Sequence, residues 1–303
     1  MINEERQINK LDKPSQEFSY LSGQWFTISS LLVPGGLWLL LLLVFPTLII
    51  FELSLVPNIH PGEIVNPSGL DNYFRIFRPV YLRVLSRSLF LAGGTALICL
   101  ILGFPVAYWL GQFAPKRWRN LLLLTFILPL WTSSLLRTYA WISILRPTGL
   151  LNTILTACGL PSWNIFNSAI AVFIGMTYNY LPYMVLILYA SVEKLDRNVL
   201  EASADLGATP RDTFWQITIP QTRSGIIAGF LLVCMSGLGD FVDPELLGGA
   251  SSMTISRLIY NQFLGATQNW GFGSALSTIL ILMTSIAIAL LIKYGDRRST
   301  DNH

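Results

Sequence analysis

Three carboxylates, Asp240, Asp243 and Glu245, crowd into the stretch GDFVDPELLGG (239–249) of a 303-residue chain that is 52% hydrophobic and only 12% charged. Asp240 and Asp243 stand three positions apart, a spacing that puts them on one side of a helical turn. Carboxylates held together this way can accept ammonium groups. They can equally cap a turn before Pro244, or pair with Arg137, so three readings of the cluster stay open. Acids in apolar surroundings are costly and are normally placed for a reason. Little else in the chain could do chemistry. Its two histidines, His60 and His303, lie in a loop and at the last residue, and its cysteines, Cys99, Cys158 and Cys234, are scattered. No metal site, catalytic residue, cofactor or disulfide framework is expected.

A second polar island is EASADLGATPRDTFWQITIP (201–220). Asp196 is placed to cap a helix whose polar stripe is Arg197, Glu201 and Asp205 and whose apolar face is Val199, Ala202 and Leu206. Gly207 suits a left-handed helix stop. Thr209 and Pro210 then restart a helix as N-cap and first-turn proline, with Asp212 completing a capping box. Pro220 is expected to end this second helix. The residues specify helix, tight turn, helix: a rigid knob.

The elements that must position these islands are apolar. The charged fraction is about half of the roughly 25% usual in soluble domains, and mean hydropathy is +0.54. Runs near 20 apolar residues, enough to cross about 30 Å of hydrocarbon as a helix, occur near 31–53, 88–111, 121–145, 168–190, 225–242 and 274–293. Six spans put both termini on one side. That side carries 13 of the 20 lysines and arginines, so the termini and the knob are placed inside. On the opposite side, GLDNYFRIFRPVYLRVLSRSLF (69–90) reads as an amphipathic helix along the outer surface. The N-terminal MINEERQINKLDKPSQ is too acidic and too long before the first apolar run for a cleaved secretory signal, so the first span is expected to stay as an anchor. Phe18, Tyr20, Trp25 and Phe26 suit an interfacial N-terminal segment, and a disordered tail is the equally open alternative. The expected division is a cytoplasmic or interfacial segment 1–30, a six-span domain 31–293 with a loop at about 191–224, and a cytoplasmic tail 294–303.

The pattern Glu201-Ala202-Ser203, then Gly207, then Ile217-Thr218-Ile219-Pro220, resembles the EAA loop of inner-membrane permease subunits of ABC importers. Ser203 and Ile219 depart from the usual Ala and Leu, keeping size or apolarity. The likeness runs from about Leu70 to Lys293. It narrows to the spermidine/putrescine (polyamine) branch through LPLWTSSLLRTYAWISIL (128–145), YLPYMVLILYASVEKLDRNVLEA (180–202) and GDFVDPELLGG (239–249), together with Trp270, Gly271 and Gly273. The resemblance implies an all-α membrane protein of six transmembrane helices with the type I importer (MetI-like) permease fold, in a bacterial inner membrane, with the knob as cytoplasmic coupling helix. It implies a second homologous permease, a pair of ATP-binding subunits and an extracytoplasmic substrate-binding protein as partners. Glu201, Ala202, Ser203 and Gly207 would then couple to the ATPase. No lysine follows a glycine, so the phosphate-binding Gly-Lys is absent and ATP hydrolysis falls to a partner.

For a polyamine, Asp240, Asp243 and Glu245 become candidate acceptors along the pathway, and Trp131 and Tyr178 candidate cation-π faces. Arg137 lies about 12 Å inside the outer end of a continuous third span at 1.5 Å per residue. Unpaired, it would repel a polycation, so it is expected to pair, with Asp240 the leading partner. Gly225 and Gly229 form a small-xxx-small pair suited either to a second permease or to packing within the chain. The competing readings are an importer of another small solute (an amino acid conjugate, a phosphonate, iron), a channel or facilitator, which would need no docking knob, and a membrane enzyme.

Overall fold

A computed structural model describes residues 14–56, 69–249, 252–265 and 268–295, without the side chains of 14–31, 116 and 290–295. Residues 1–13, His60 and the tail with Arg297, Arg298 and His303 lie outside the described residues, as do the side chains of Phe18, Tyr20, Trp25 and Phe26. Among the described residues the regular structure is helical. Five helices are long and apolar enough to cross a membrane, or six if one bent pair counts as a single span. Backbone groups of the long helices pair along the helix, the condition for lying in hydrocarbon, except where Pro34, Pro46, Pro105 and Pro182 remove an amide.

The chain divides into two units. The first is made by helix α1 (Pro14–Ser54), whose Leu32–Ser54 segment has a mean hydropathy of 2.3. The second holds everything from Ser54 on. It opens with α2 (Asp71–Ile76) and α3 (Pro79–Tyr108), and α3 runs through a wide π turn to Phe113. The expected amphipathic surface helix over 69–90 is therefore divided. Pro79, with its fixed φ at the first helical position, starts α3, and Tyr81 to Phe90 are the opening turns of a long spanning helix.

The third span is not continuous. Helix α4 (Lys116–Ile127) ends in a tight turn, Leu128–Trp131, and α5 (Ser134–Leu145) departs in a new direction, followed by α6 (Leu150–Ala157). The two halves meet at 91°. Pro129 removes an amide from the turn, and Thr132 and Ser133 are extended, so no helical bond crosses the elbow.

Helix α7 (Ala169–Val192) is the centre of the second unit. The knob follows, α8 (Arg197–Asp205) and α9 (Pro210–Thr213). Pro220 does not end the second knob helix. A π turn, Phe214–Thr218, joins α9 to α10 (Ile219–Gly239), so helix runs unbroken for 30 residues from Pro210 to Gly239. The proline sits in the first turn after the π turn, where a missing amide costs least. Short helices α11 (Val242–Leu247) and α12 (Ile255–Leu264) lead to the last span, α13 (Trp270–Gly295).

Helices α3, α7 and α10 pack on one another through small residues. Ala92, Ala96 and Ala107 of α3 are fully buried. A Cβ on Gly103 would lie 3.3 Å from Met184, and one on Gly237 would lie 3.0 Å from Met176. Gly225 and Gly229 also face α7: a Cβ on Gly225 would run into Ser191, and one on Gly229 would come within 2.8 Å of the Met184 sulfur. Their role is packing within this chain. Overpacking such a contact costs on the order of 1–3 kcal/mol. Gly225→Ala is therefore expected to lower the thermal unfolding midpoint of the detergent-purified protein, and Ser191→Gly in the same chain to restore part of the loss. An unchanged midpoint in Gly225→Ala would sink this account.

Candidate functional site

The knob is locked at every joint. Asp196 accepts the amide of Asn198 at 2.9 Å, starting α8. Its end is a Schellman stop: the Ala208 amide reaches the Ser203 carbonyl at 3.1 Å, the Gly207 amide reaches Ala204 at 2.9 Å, and Gly207 has φ +83°. Thr209 and Asp212 form the reciprocal capping box, with contacts of 3.2 and 3.3 Å. One lock was not foreseen. Ser203, buried at 7% exposure, bonds the Leu200 carbonyl at 2.7 Å and the Thr213 hydroxyl at 3.0 Å, tying α8 to α9. The signal was a pair of small hydroxyl residues, one on each limb of the hairpin. The departure from Ala to Ser is thereby explained: the hydroxyl staples the hairpin.

Glu201 and Ala202 are exposed beside it. Leu206 is 89% exposed and Trp215 67%, with Val199 also open. A doubly capped hairpin that displays large apolar side chains presents a surface to cover.

The acidic cluster forms where α10 ends. Asp240 caps α11, accepting the amides of Val242 at 2.9 Å and Asp243 at 3.3 Å, while the Tyr180 hydroxyl of α7 donates to its other oxygen at 3.2 Å. Asp243 is 1% exposed. One of its oxygens takes the Thr138 hydroxyl of α5 at 2.5 Å and the other the Asn179 amide of α7 at 2.9 Å. Glu245 is ion-paired to Arg257 of α12, which also donates to the carbonyls of Gly249 and Pro244. The structure thus brings Asp240 and Asp243 together with Thr138, Asn179 and Tyr180. These three were missed because each is remote in the chain, although a lone amide inside an apolar span was a visible sign.

Arg137 does not pair with Asp240. The Asp240 oxygens are taken by the cap and by Tyr180, and the elbow redirects the helix that carries Arg137. Its Nε and Nη1 are buried and have no hydrogen-bond partner among the described residues. Its charge reaches Asp243 through space.

The aromatic candidates lie elsewhere and apart. Trp131 stands at the elbow, 77% exposed. Tyr178 packs edge-on against Trp141, ring centroids 5.6 Å apart. Tyr178 and Trp141 line a groove of about 570 Å³ with Ile98, Leu102, Phe173 and Thr177.

Residues 103–300 match the family model of the binding-protein-dependent transport system inner membrane component. The spermidine/putrescine transport system permease protein PotB of Haemophilus influenzae is 39% identical over 253 residues, covering 83% of this chain and 88% of that protein. PotB of Escherichia coli is 40% identical over 254 residues, covering 83% and 91%. In the crystal structure of a bacterial alginate ABC transporter in complex with alginate pentasaccharide-bound periplasmic protein, one chain superposes with a TM-score of 0.76 at 17% identity, covering 93% of this chain and 98% of that one. That likeness carries the fold alone. With a spanning helical core, a doubly capped knob between its fourth and fifth spans and a family match along residues 103–300, more than half of its length, the chain belongs to the binding-protein-dependent transport system inner membrane components.

Proposed function

We propose that this chain is the permease subunit of an ATP-driven importer that moves polyamines such as spermidine and putrescine across the inner membrane. The observation that carries the reading is the knob. A hairpin with locked joints, an exposed Leu206 and an unbroken 30-residue helix into the fifth span is suited to receive a push and pass it on. The push would come from a pair of ATP-hydrolysing subunits. Substrate would come from an extracytoplasmic binding protein, and the pathway would be completed by a second, homologous permease. Both termini and the knob lie on the cytoplasmic side in this reading, in keeping with the excess of lysine and arginine there. The polyamine class rests on identity near 40% with PotB permeases over most of the chain. Alternation between inward-open and outward-open states would be a rigid-body switch of the packed helices.

Gly207 tests the docking role. A Cβ there meets nothing within 4 Å, so a substitution acts through the backbone alone. A left-handed conformation costs roughly 1–2 kcal/mol for ordinary residues and is easier for Asn. Gly207→Val is expected to abolish uptake and weaken association with the ATPase subunits at normal membrane abundance, while Gly207→Asn retains most of both. Parental uptake and ATPase association in Gly207→Val would remove the docking role.

For the pathway, the reading gives Trp131 and Tyr178 as faces open to an amine, and Asp240, Asp243 and Glu245 as the acidic outer end. Asp243→Asn is the cleanest probe, since an amide of the same shape can still accept from Thr138. Its NH2 takes the place of the oxygen that accepts from Asn179 Nδ2, and a turn of the Asn179 amide brings the Asn179 Oδ1, without a partner among the described residues, round to accept from it. Asp243 is sealed from the pathway, so its charge acts through space in surroundings of low dielectric, and about 1.4 kcal/mol of lost attraction is a factor of ten. The polyamine concentration for half-maximal uptake is expected to rise about tenfold, with binding to the isolated external protein unchanged. Uptake kinetics equal to the parent's would assign Asp243 to structure only.

A further inference from the structure

The two ends of the knob are joined to the membrane helices in different ways. On its C-terminal side, α9 continues as helix into α10. On its N-terminal side, only the non-helical link Glu193–Asp196 separates α7 from α8. A link of this kind would absorb a displacement rather than pass it on, unless something braces it.

The brace is a set of side chains at the end of α3. The last carbonyls of a helix have no amide partners within it, and with the π turn ending at Phe113 those of Gly111 and Gln112 are among them. Arg197, the first residue of α8, donates through Nη2 to the Gln112 carbonyl. Arg119, of α4, donates to the Gly111 carbonyl at 3.0 Å and pairs with Glu193 at 3.3 Å. The Gln112 side chain is itself buried, at 8% exposure, and donates to the Val192 carbonyl at the end of α7, at 2.9 Å. The backbone at Gly111 also lies against the Val192 side chain: a Cβ on Gly111 would lie 2.7 Å from its Cγ1. Guanidinium suits the position. It is permanently charged, it favours the negative end of a helix dipole, and its planar fork fixes direction as well as distance.

We propose that Arg197 is the strut that passes movement of the knob to the cytoplasmic end of α3, with Gln112 as its seat. The inference rests on the reading of the knob as the ATPase docking element. Arg197 touches neither substrate nor nucleotide; it is a positioning residue. With the strut, a push on the knob reaches the bundle at two points, along α10 and at the foot of α3. Without it, only α10 is driven, and the link after α7 yields.

The test uses the whole transporter, reconstituted in vesicles with its ATP-hydrolysing subunits and external binding protein. Spermidine uptake and ATP hydrolysis are measured together, along with the ratio of subunits. In Arg197→Gln the subunits are expected to stay bound at the parental ratio and to hydrolyse ATP, while spermidine moved per ATP falls about tenfold, the scale of a lost charged hydrogen bond. Arg197→Lys, which keeps the charge and a donor, should recover a substantial part. Gln112→Leu keeps the backbone carbonyl that accepts from Arg197 but removes the side-chain bond that ties this seat to the Val192 carbonyl at the end of α7; it leaves the knob untouched and should lower spermidine moved per ATP in the same direction. Parental transport per ATP in either Arg197→Gln or Gln112→Leu overturns the proposal. So does loss of the ATPase subunits from both, which would make these residues part of the knob's fold. Failure of the docking reading is seen separately, as parental behaviour of Gly207→Val.

Discussion

A backbone carbonyl or amide in hydrocarbon has no water to turn to, and every break in a spanning helix must be met by some other group of the protein. This constraint shapes the structure more than any single contact. At the foot of α3 the released carbonyls are taken by Arg119 and Arg197. At the elbow of the third span, Thr132 bonds the Pro129 carbonyl with its hydroxyl at 2.7 Å. Ahead of Pro220 a π turn widens the helix, with the Ile219 amide reaching back to the Phe214 carbonyl. Where α10 ends, Asp240 receives the amides of the next turn. The breaks at the foot of α3 and at the end of α10 are thus met by named side chains and are built parts of the fold.

The stretches between breaks are rigid for the complementary reason. Helices in lipid gain little from burying apolar surface against one another, and they associate by close fit. Small residues along α3 and α10 let both backbones approach α7, and buried side chains from all three fill the contact, Met176, Met184 and Leu188 of α7 with Leu91 and Phe104 of α3 and Val233 of α10. A block packed this tightly shifts as a body or not at all. Movement is therefore confined to its joints: the elbow, the acidic turn and the link that Arg197 braces.

How much of this was legible in the sequence follows from the range of each interaction. Asp196, Gly207 and Thr209 act within a few residues, so their types and spacing alone placed the knob. Hydropathy located the six apolar runs but is blind to direction, and so it passed straight through the 91° elbow; Pro129 was the only local sign of it. The rule that proline ends a helix failed at Pro220 because a π turn absorbed the missing amide, a remedy with no composition of its own. Partners of Asp243 lie 105 and 64 positions away, and the seat of Arg197 lies 85 away. Such pairings exist only once α3, α5 and α7 are assembled. For the same reason Arg137 was matched to the wrong carboxylate: proximity along straight spans suggested Asp240, which the cap and Tyr180 already occupy.

The manner in which the three acids are held separates their roles in the proposed pathway. Glu245 is met by a full positive charge, Arg257, so the pair presents almost no net field at a distance. Asp240 and Asp243 are instead held by backbone amides, two hydroxyls and one carboxamide. Neutral donors satisfy the lone pairs of a carboxylate without cancelling its charge. In surroundings of low dielectric that charge is felt well beyond contact distance, and far more strongly than an exposed one in salt solution. Asp243 thus needs no direct contact with a cation to favour its passage. It can be sealed at 1% exposure and still act, with the nearby unpaired Arg137 limiting how deep the attraction becomes. A site that attracted a polycation through direct pairing would hold it; one that attracts through a buried charge lets it move on.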